Sequence, residues 1–238
     1  EEDLERRDLT INALAQDESG NLIDPWGGLA DLEDRVLRHV SDAFAEDPVR
    51  VLRVARFAAR FHHLGFRVAD ETMQLMQRMV EDGEVDALVP DRVWKETELA
   101  LTGRNARVFV ETLRACGALR VLYPEIDVLF GIPQPAQWHP EIDTGLHVMM
   151  VLDQAEKLSS ELDVRFAALV HDLGKGNTPP SNLPSHPGHE LRGCRLSRRV
   201  VERLPVPKAG RDLGLMVSEY HTPVPRAFVL RPAAFVAV

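Results

Sequence analysis

The sequence predicts a mainly α protein with a short stretch of mixed character at its start. Two observations carry this reading. From residue 46 onward, apolar residues recur with a 3.6-residue period over 48–63, 70–81, 91–102, 104–116, 145–160, 162–173, 189–203 and 208–221. Before them, LTINALA (9–15) and DESGNLIDPWGG read as an apolar segment, a polar turn and a short strand-like run closed by a Pro/Gly break. A third observation divides the chain. GIPQPAQWHPEIDTG (131–145) has three prolines, two glycines and no helical period, which marks the best domain boundary. GKGNTPPSNLPSHPGHE (174–190) is also loop-like but carries two histidines, and long loops in compact domains are often functional.

Composition narrows the class. A chain of 238 residues, 45% hydrophobic, can bury a sizeable core in one or two domains. No apolar run approaches the roughly 20 residues that span a bilayer, and the opening EEDLERRD is too charged for a secretory signal, so no membrane partner and a cytoplasmic location are expected. Cys116 and Cys194 show no paired spacing, which excludes a disulfide framework and a cysteine zinc site. The net charge of −9 is uneven: residues 190–238 carry +5 and residues 1–189 carry −14, with arginines gathered at 50–67 and 104–120. Local basic stripes for RNA therefore remain available. The chain lacks an initiating Met and ends on LRPAAFVAV without a helix stop signal, so the expectation is a fragment.

The first long helix raises the first chemical question. In EDPVRVLRVARF (46–57), Asp47 precedes Pro48 as an N-cap precedes Pro at the first helical position. Val51, Leu52, Val54, Ala55, Ala58 and Ala59 form the buried side, while Arg50, Arg53, Arg56 and Arg60 share another. A solvated face normally mixes both signs, yet no acid follows Asp47 until Asp70, and the row lies near the positive end of the helix dipole. Such a row suits a triphosphate or a phosphodiester backbone.

With RRDLTINA (6–13), DPWGGLADL (24–32) and the later DRVWKETELAL (91–101), this segment resembles, in order and spacing, the class II tRNA nucleotidyltransferases, the bacterial CCA-adding enzymes. The resemblance covers essentially the whole chain. It implies the C-terminal remnant of an α/β nucleotidyltransferase head over 1–40, a helical neck and body over 41–135, and an all-helical HD domain over 136–238. It further implies that Arg7 and Asp8 contact the nucleotide's ribose and phosphates, that 24–32 forms a hinge, that Asp47 and Arg50 read the base, and that Arg53 and Arg56 bind the nucleotide. CTP, ATP and tRNA are the implied partners, with room for a homodimer. The family's Gly-rich turn and D-x-D carboxylates, which hold Mg²⁺ for nucleotidyl transfer, would lie upstream of residue 1, so this chain is expected to bind without polymerising.

The second half carries a different chemistry. GLHVMMVLDQA supplies His147, RFAALVHDLGKG supplies His171 and Asp172 at a helix end, PGHELRG supplies His189 and Glu190, and SEYH supplies His221. An adjacent His-Asp before a glycine break presents both side chains together. The pattern resembles the HD phosphohydrolases, which implies a divalent metal, Ni²⁺, Mn²⁺ or Mg²⁺ among the candidates, held by His147, His171, Asp172, His189 and His221, with His171 and Asp172 catalytic. Asp212 is a poorer candidate than His221 for the last ligand, and Lys175 reads as a solvated loop lysine that could meet a phosphate. Three other readings compete: a stand-alone HD phosphohydrolase on a helical scaffold, a poly(A) polymerase and a non-catalytic tRNA-binding module. The ordered N-terminal motifs argue against the first, and the histidines argue against the second.

Overall fold

The structure, a computed structural model, describes residues 2–224; the terminal LRPAAFVAV lies outside them. The chain forms two compact units, Glu1–Leu122 and Tyr123–Val238, so residues 123–135, expected with the neck, lie in the second.

The first unit begins with α1 (Glu2–Glu5), a single turn of helix over Thr10–Asn12, and a hairpin of β1 (Ala15–Gln16) and β2 (Leu22–Ile23). Asp17 shapes the hairpin turn, its Oδ1 accepting the Ser19 and Asn21 N–H groups at 2.9 and 2.7 Å. DPWGG then resolves into a helix cap. The Asp24 carboxylate accepts the N–H groups of Gly28 (2.7 Å) and Leu29 (3.0 Å) at the start of α2 (Gly28–Glu33). Gly28 is required there, because a Cβ would stand 2.2 Å from the Thr10 carbonyl oxygen. Buried Asp31 accepts the Thr10 hydroxyl at 2.7 Å and the Arg38 Nε–H at 3.1 Å, tying α2 onto TINA.

Next come β3 (Val36–Leu37), α3 (Val49–Phe61), β4 (Arg67–Val68), which pairs parallel with β3, and then α4 (Asp70–Glu81), α5 (Pro90–Thr102), α6 (Ala106–Ala115) and α7 (Ala118–Leu122). Here α3 is central, packed chiefly on α6 and α5. Leu52, Leu101, Phe109 and Leu113 are buried between them. Each such side chain contributes about 1.5–3 kcal/mol by leaving water.

The second unit comprises α8 (Pro124–Asp127), α9 (Thr144–Leu158), α10 (Leu162–Val170), α11 (His189–Arg203) and α12 (Lys208–Tyr220). Helix α10 packs on α12 and α9, and α11 packs on α12. Gly214 permits the first contact, since a Cβ there would stand 3.0 Å from the Phe166 ring. Two buried hydroxyls, Ser197 of α11 and Ser218 of α12, lie 2.8 Å apart and within 3.3 and 3.2 Å of the Val170 carbonyl oxygen. They satisfy the last carbonyl of α10, immediately before His171, and so fix the helix end that presents His171 and Asp172. The eight periodic segments thus become α3–α6 and α9–α12. Burial pushes the Cys116 thiol up to about 11, and both cysteines are free. No described helix is long and apolar enough to cross a membrane.

Candidate functional site

The first unit holds a cavity of about 330 Å³ lined by Arg6, Arg7, Asp8, Asn12, Asp47, Arg50 and Arg53. The acids that relieve the arginine row come from elsewhere in the chain. Asp8, 8% exposed, places Oδ2 2.6 Å from Arg53 Nε and Oδ1 3.4 Å from Arg50 Nε. Arg50 is itself buried; its Nη2 donates to the Arg6 carbonyl at 2.6 Å and its Nη1 to the Ala43 carbonyl. A guanidinium has five N–H groups, so two remain after these contacts, held by a rigid fork. Asp47 has an extended backbone and accepts the Val49 N–H at 3.2 Å, which is the capping role expected of it, with the formal helix boundary one residue later. Its other oxygen takes the Arg92 guanidinium at 2.7 Å. Burial opposes ionisation of Asp47, but the Arg92 hydrogen bond, the Val49 N–H and the nearby Arg50 charge hold its carboxyl below the usual range. It is therefore an acceptor only at neutral pH. Arg7 is exposed and paired with Asp3 at 2.9 Å.

Arg56 does not join this cavity. Its Nε donates to Glu96 Oε2 of α5 at 2.5 Å, its guanidinium lies 4.4 Å over the Phe57 ring, and it lines a separate cavity with Arg60, Phe61, Leu99 and Arg104.

In the second unit, His147, His171, Asp172, His189 and His221 converge on one pocket of about 300 Å³, whose lining also includes Trp138, His139, Lys175 and His186. Tautomers are dictated by acceptors. The Nδ1 atoms of His171, His189 and His221 lie 2.8, 2.8 and 3.0 Å from the carbonyl oxygens of Ala168, His186 and Val217. A carbonyl only accepts, so each Nδ1 carries a proton, and in the neutral ring that metal binding requires each Nε2 turns a lone pair inward. His147 Nδ1 likewise faces Glu141 Oε1 at 2.6 Å. The four Nε2 atoms surround Asp172: those of His171 and His147 are 3.1 and 3.6 Å from Oδ2, and those of His189 and His221 are 3.5 and 3.4 Å from Oδ1. Oδ1 is buried and accepts no hydrogen bond, and the His189 and His221 Nε2 atoms are only 3.2 Å apart. Converging lone pairs beside an orphaned carboxylate oxygen fit a divalent metal with imidazole and carboxylate ligands. Burial opposes the Asp172 charge, yet His171, His221 and Lys175 hold its carboxyl well below the usual range. The same carboxylate raises His221 against the effect of burial, whereas burial lowers His147 and His189.

Lys175 corrects its reading as a solvated loop residue. It is 5% exposed, and Nζ donates to Asp172 Oδ2 at 2.8 Å and to Gln134 Oε1 at 2.9 Å. Asp212 stands at the surface beside Arg211 and takes no part.

Three family profiles match the chain: a Poly A polymerase head domain over residues 1–38, a probable RNA and SrmB-binding site of polymerase A over 65–130, and an HD domain over 144–232. A multifunctional CCA protein of Thioalkalivibrio sulfidiphilus is 64% identical over 232 residues, which is 98% of this chain and 57% of that protein. Nearly the whole chain is thus similar to a CCA protein. It spans a little over half the length of that curated relative. Solved structures share the fold: a tRNA-processing enzyme in its apo form superposes with TM-score 0.62 at 27% identity, over 95% of this chain and 55% of that one. A Thermotoga maritima CCA-adding enzyme complexed with tRNA gives TM-score 0.62 at 22% identity, over 98% and 51%.

Within this chain, the sequence reading missed Arg6, Asn12, Arg92 and Glu96 around the arginines, and Gln134, Glu141 and His186 around the histidines. His186 is buried between Thr178 Oγ1 (2.8 Å) and the Pro133 carbonyl (3.0 Å), joining the two Pro-rich loops. Only its place in the short run HPGHE (186–190) could have hinted at it.

Gly174 of HDLGKG sets how near α11 comes. A Cβ there would stand 1.9 Å from the His189 carbonyl oxygen and 2.4 Å from the Gly193 nitrogen. Gly174→Ala is expected to push the start of α11, with His189, away from Asp172 and to cost about 1–3 kcal/mol or more. Thermal melts and metal titration check it: an unchanged melting temperature together with unchanged metal affinity would show that α11 does not depend on this contact.

Proposed function

We propose that the whole protein adds C, C and A to tRNA 3′ ends from CTP and ATP, and that the second unit is a metal-dependent phosphohydrolase acting on 2′,3′-cyclic or related phosphate esters. In the first unit, Arg7, Asp8 and Arg53 would hold the nucleotide's ribose and phosphates, with Asp8 also aligning Arg50 and Arg53. Asp47 and Arg50 would read the base. Arg56, paired with Glu96, would serve the α3–α5 contact rather than the nucleotide. The observation that carries the second part is the buried Asp172 Oδ1, without a hydrogen bond and ringed by imidazole Nε2 atoms.

His147, His171, Asp172, His189 and His221 would hold the metal, with Ni²⁺, Mn²⁺ and Mg²⁺ the ions to try. Such an ion supplies a nucleophile by lowering the pKa of bound water. The chain's own contribution is to fix four imidazole tautomers, to bury the carboxylate, and to hold the Lys175 ammonium beside the site, where it can face an incoming phosphate. Mg²⁺ for nucleotidyl transfer would be held by carboxylates outside residues 1–238. Trp138, 69% exposed at the rim, offers a face on which a base can stack.

The RNA partner is tested on this chain directly. Gel-shift or anisotropy measurements with tRNA lacking its CCA end should show binding that weakens about tenfold or more between roughly 50 and 200 mM salt. Binding insensitive to salt, or none, would remove tRNA as the partner of these residues.

A further inference from the structure

We infer that Glu141, reached through Gln134, is a positioning residue of the metal site, so that the Pro-rich stretch 131–145 belongs to the phosphohydrolase machinery; this rests on the metal reading proposed above. Among the four converging histidines, three fix their Nδ1–H on a carbonyl of the preceding turn or residues close by. His147, in the first turn of α9, does otherwise. Its Nδ1 turns instead to Glu141 Oε1 at 2.6 Å; at His189 the Glu190 Oε2 also lies 3.4 Å from Nδ1, but the His186 carbonyl is the nearer acceptor at 2.8 Å.

The Glu141 side chain is itself held on several sides. Oε1 receives Gln134 Nε2 at 3.1 Å, and His139 Nδ1 lies 3.3 Å from it. Gln134 is 1% exposed, and accepting Lys175 Nζ at 2.9 Å fixes which way its amide faces. Lys175 then donates to Asp172 Oδ2 at 2.8 Å, and His147 Nε2 faces that same oxygen at 3.6 Å. The result is a closed ring: Asp172, Lys175, Gln134, Glu141, His147 and back to Asp172. It does two things at once. It protonates His147 on Nδ1 and bares Nε2, and it occupies Asp172 Oδ2 with an ammonium, leaving Oδ1 as the carboxylate atom with no hydrogen bond. A carboxylate behind a ligating histidine also makes the ring a stronger donor.

The test is a Co²⁺ titration of the chelator-stripped 238-residue chain, read by calorimetry and by the visible absorption of imidazole-ligated Co²⁺. Glu141→Ala should weaken Co²⁺ binding by about 10–100-fold and shift the band. Glu141→Gln, which keeps an acceptor for His147 and the same shape, should recover most of the affinity. If Glu141→Ala does not fold, Gln134→Leu takes its place: it leaves Glu141 intact but cuts its link to Lys175, and should weaken Co²⁺ by about tenfold. Variant binding within about twofold of the parent, with the parent's band, would overturn the positioning role alone. A parent chain that binds no Co²⁺ would overturn the metal reading first, and this inference with it.

Discussion

His171→Ala combined with Asp172→Ala will reduce hydrolysis of a nucleoside 2′,3′-cyclic phosphate in Mn²⁺ or Ni²⁺ to background. The loss is expected to be complete because the pair supplies one inward nitrogen and the carboxylate to which every other inward nitrogen is oriented. Among the described residues Asp172 is also the anionic partner of buried Lys175, so its removal leaves an uncompensated charge; breaking such a pair costs about 3–5 kcal/mol. Activity should therefore be measured on variant protein shown to be folded by circular dichroism. His171→Ala alone, which keeps the Lys175 pair, separates lost chemistry from lost stability. Hydrolysis by the purified double variant at the parent's rate would sink the phosphohydrolase assignment to this pocket.

In a longer chain that carries the D-x-D carboxylates, Asp47→Asn should admit UTP or GTP. Cytosine and adenine both present an exocyclic amino donor beside a ring nitrogen acceptor. A carboxylate only accepts and a guanidinium only donates, so Asp47 opposite the amino group and Arg50 opposite the ring nitrogen fit both bases. Uracil and guanine meet the same pair with a carbonyl and a ring N–H, two mismatches at once. A site that leaves buried polar groups unpaired can reject a near-isostere by a factor on the order of 10⁴, and the substitution should erode that toward roughly 10². Asparagine can still accept the Val49 N–H, so the start of α3 survives, while its amide can donate to the carbonyl of uracil or guanine. Arg50→Ala should relax selection too, at a greater cost in stability because Arg50 is buried against Asp8. Arg53→Ala should weaken CTP and ATP alike. Incorporation assays with each of the four nucleotides decide the matter: unchanged preference in Asp47→Asn would leave Asp47 as a helix cap only.

How much of this was legible in the sequence depended on whether a signal was local. Helices α9, α11 and α12, of 15, 15 and 13 residues, are long enough to show their period, and His171-Asp172 announces itself by adjacency at the end of the shorter α10, so the elements that bring the histidines together could be read from local signals. Helices α7 and α8, of five and four residues, are too short to show a period. The partners of the arginine row were hidden for another reason. Asp8 lies 45 residues from Arg53 and Glu96 lies 40 from Arg56, so no window of sequence shows that the row is neutralised. Glu141 and Gln134 sit in a stretch whose prolines and glycines read only as punctuation. Lys175 looked solvated because its neighbours are glycines, and only the fold reveals the carboxylate and amide that enclose it.

The meeting of Asp8 with Arg50 and Arg53 also constrains protein engineering. Anyone building a chimera, with a foreign catalytic head spliced onto the helices from α3 onward, inherits two guanidiniums shaped to a carboxylate at position 8 and a carbonyl at position 6. A donor head without an acid at position 8 would leave the buried Arg50 guanidinium uncompensated at the splice, at a cost of about 3–5 kcal/mol. The compatible crossover point therefore lies before Arg6 rather than in the turn at Asp24–Gly27, even though that turn looks the more natural place to cut.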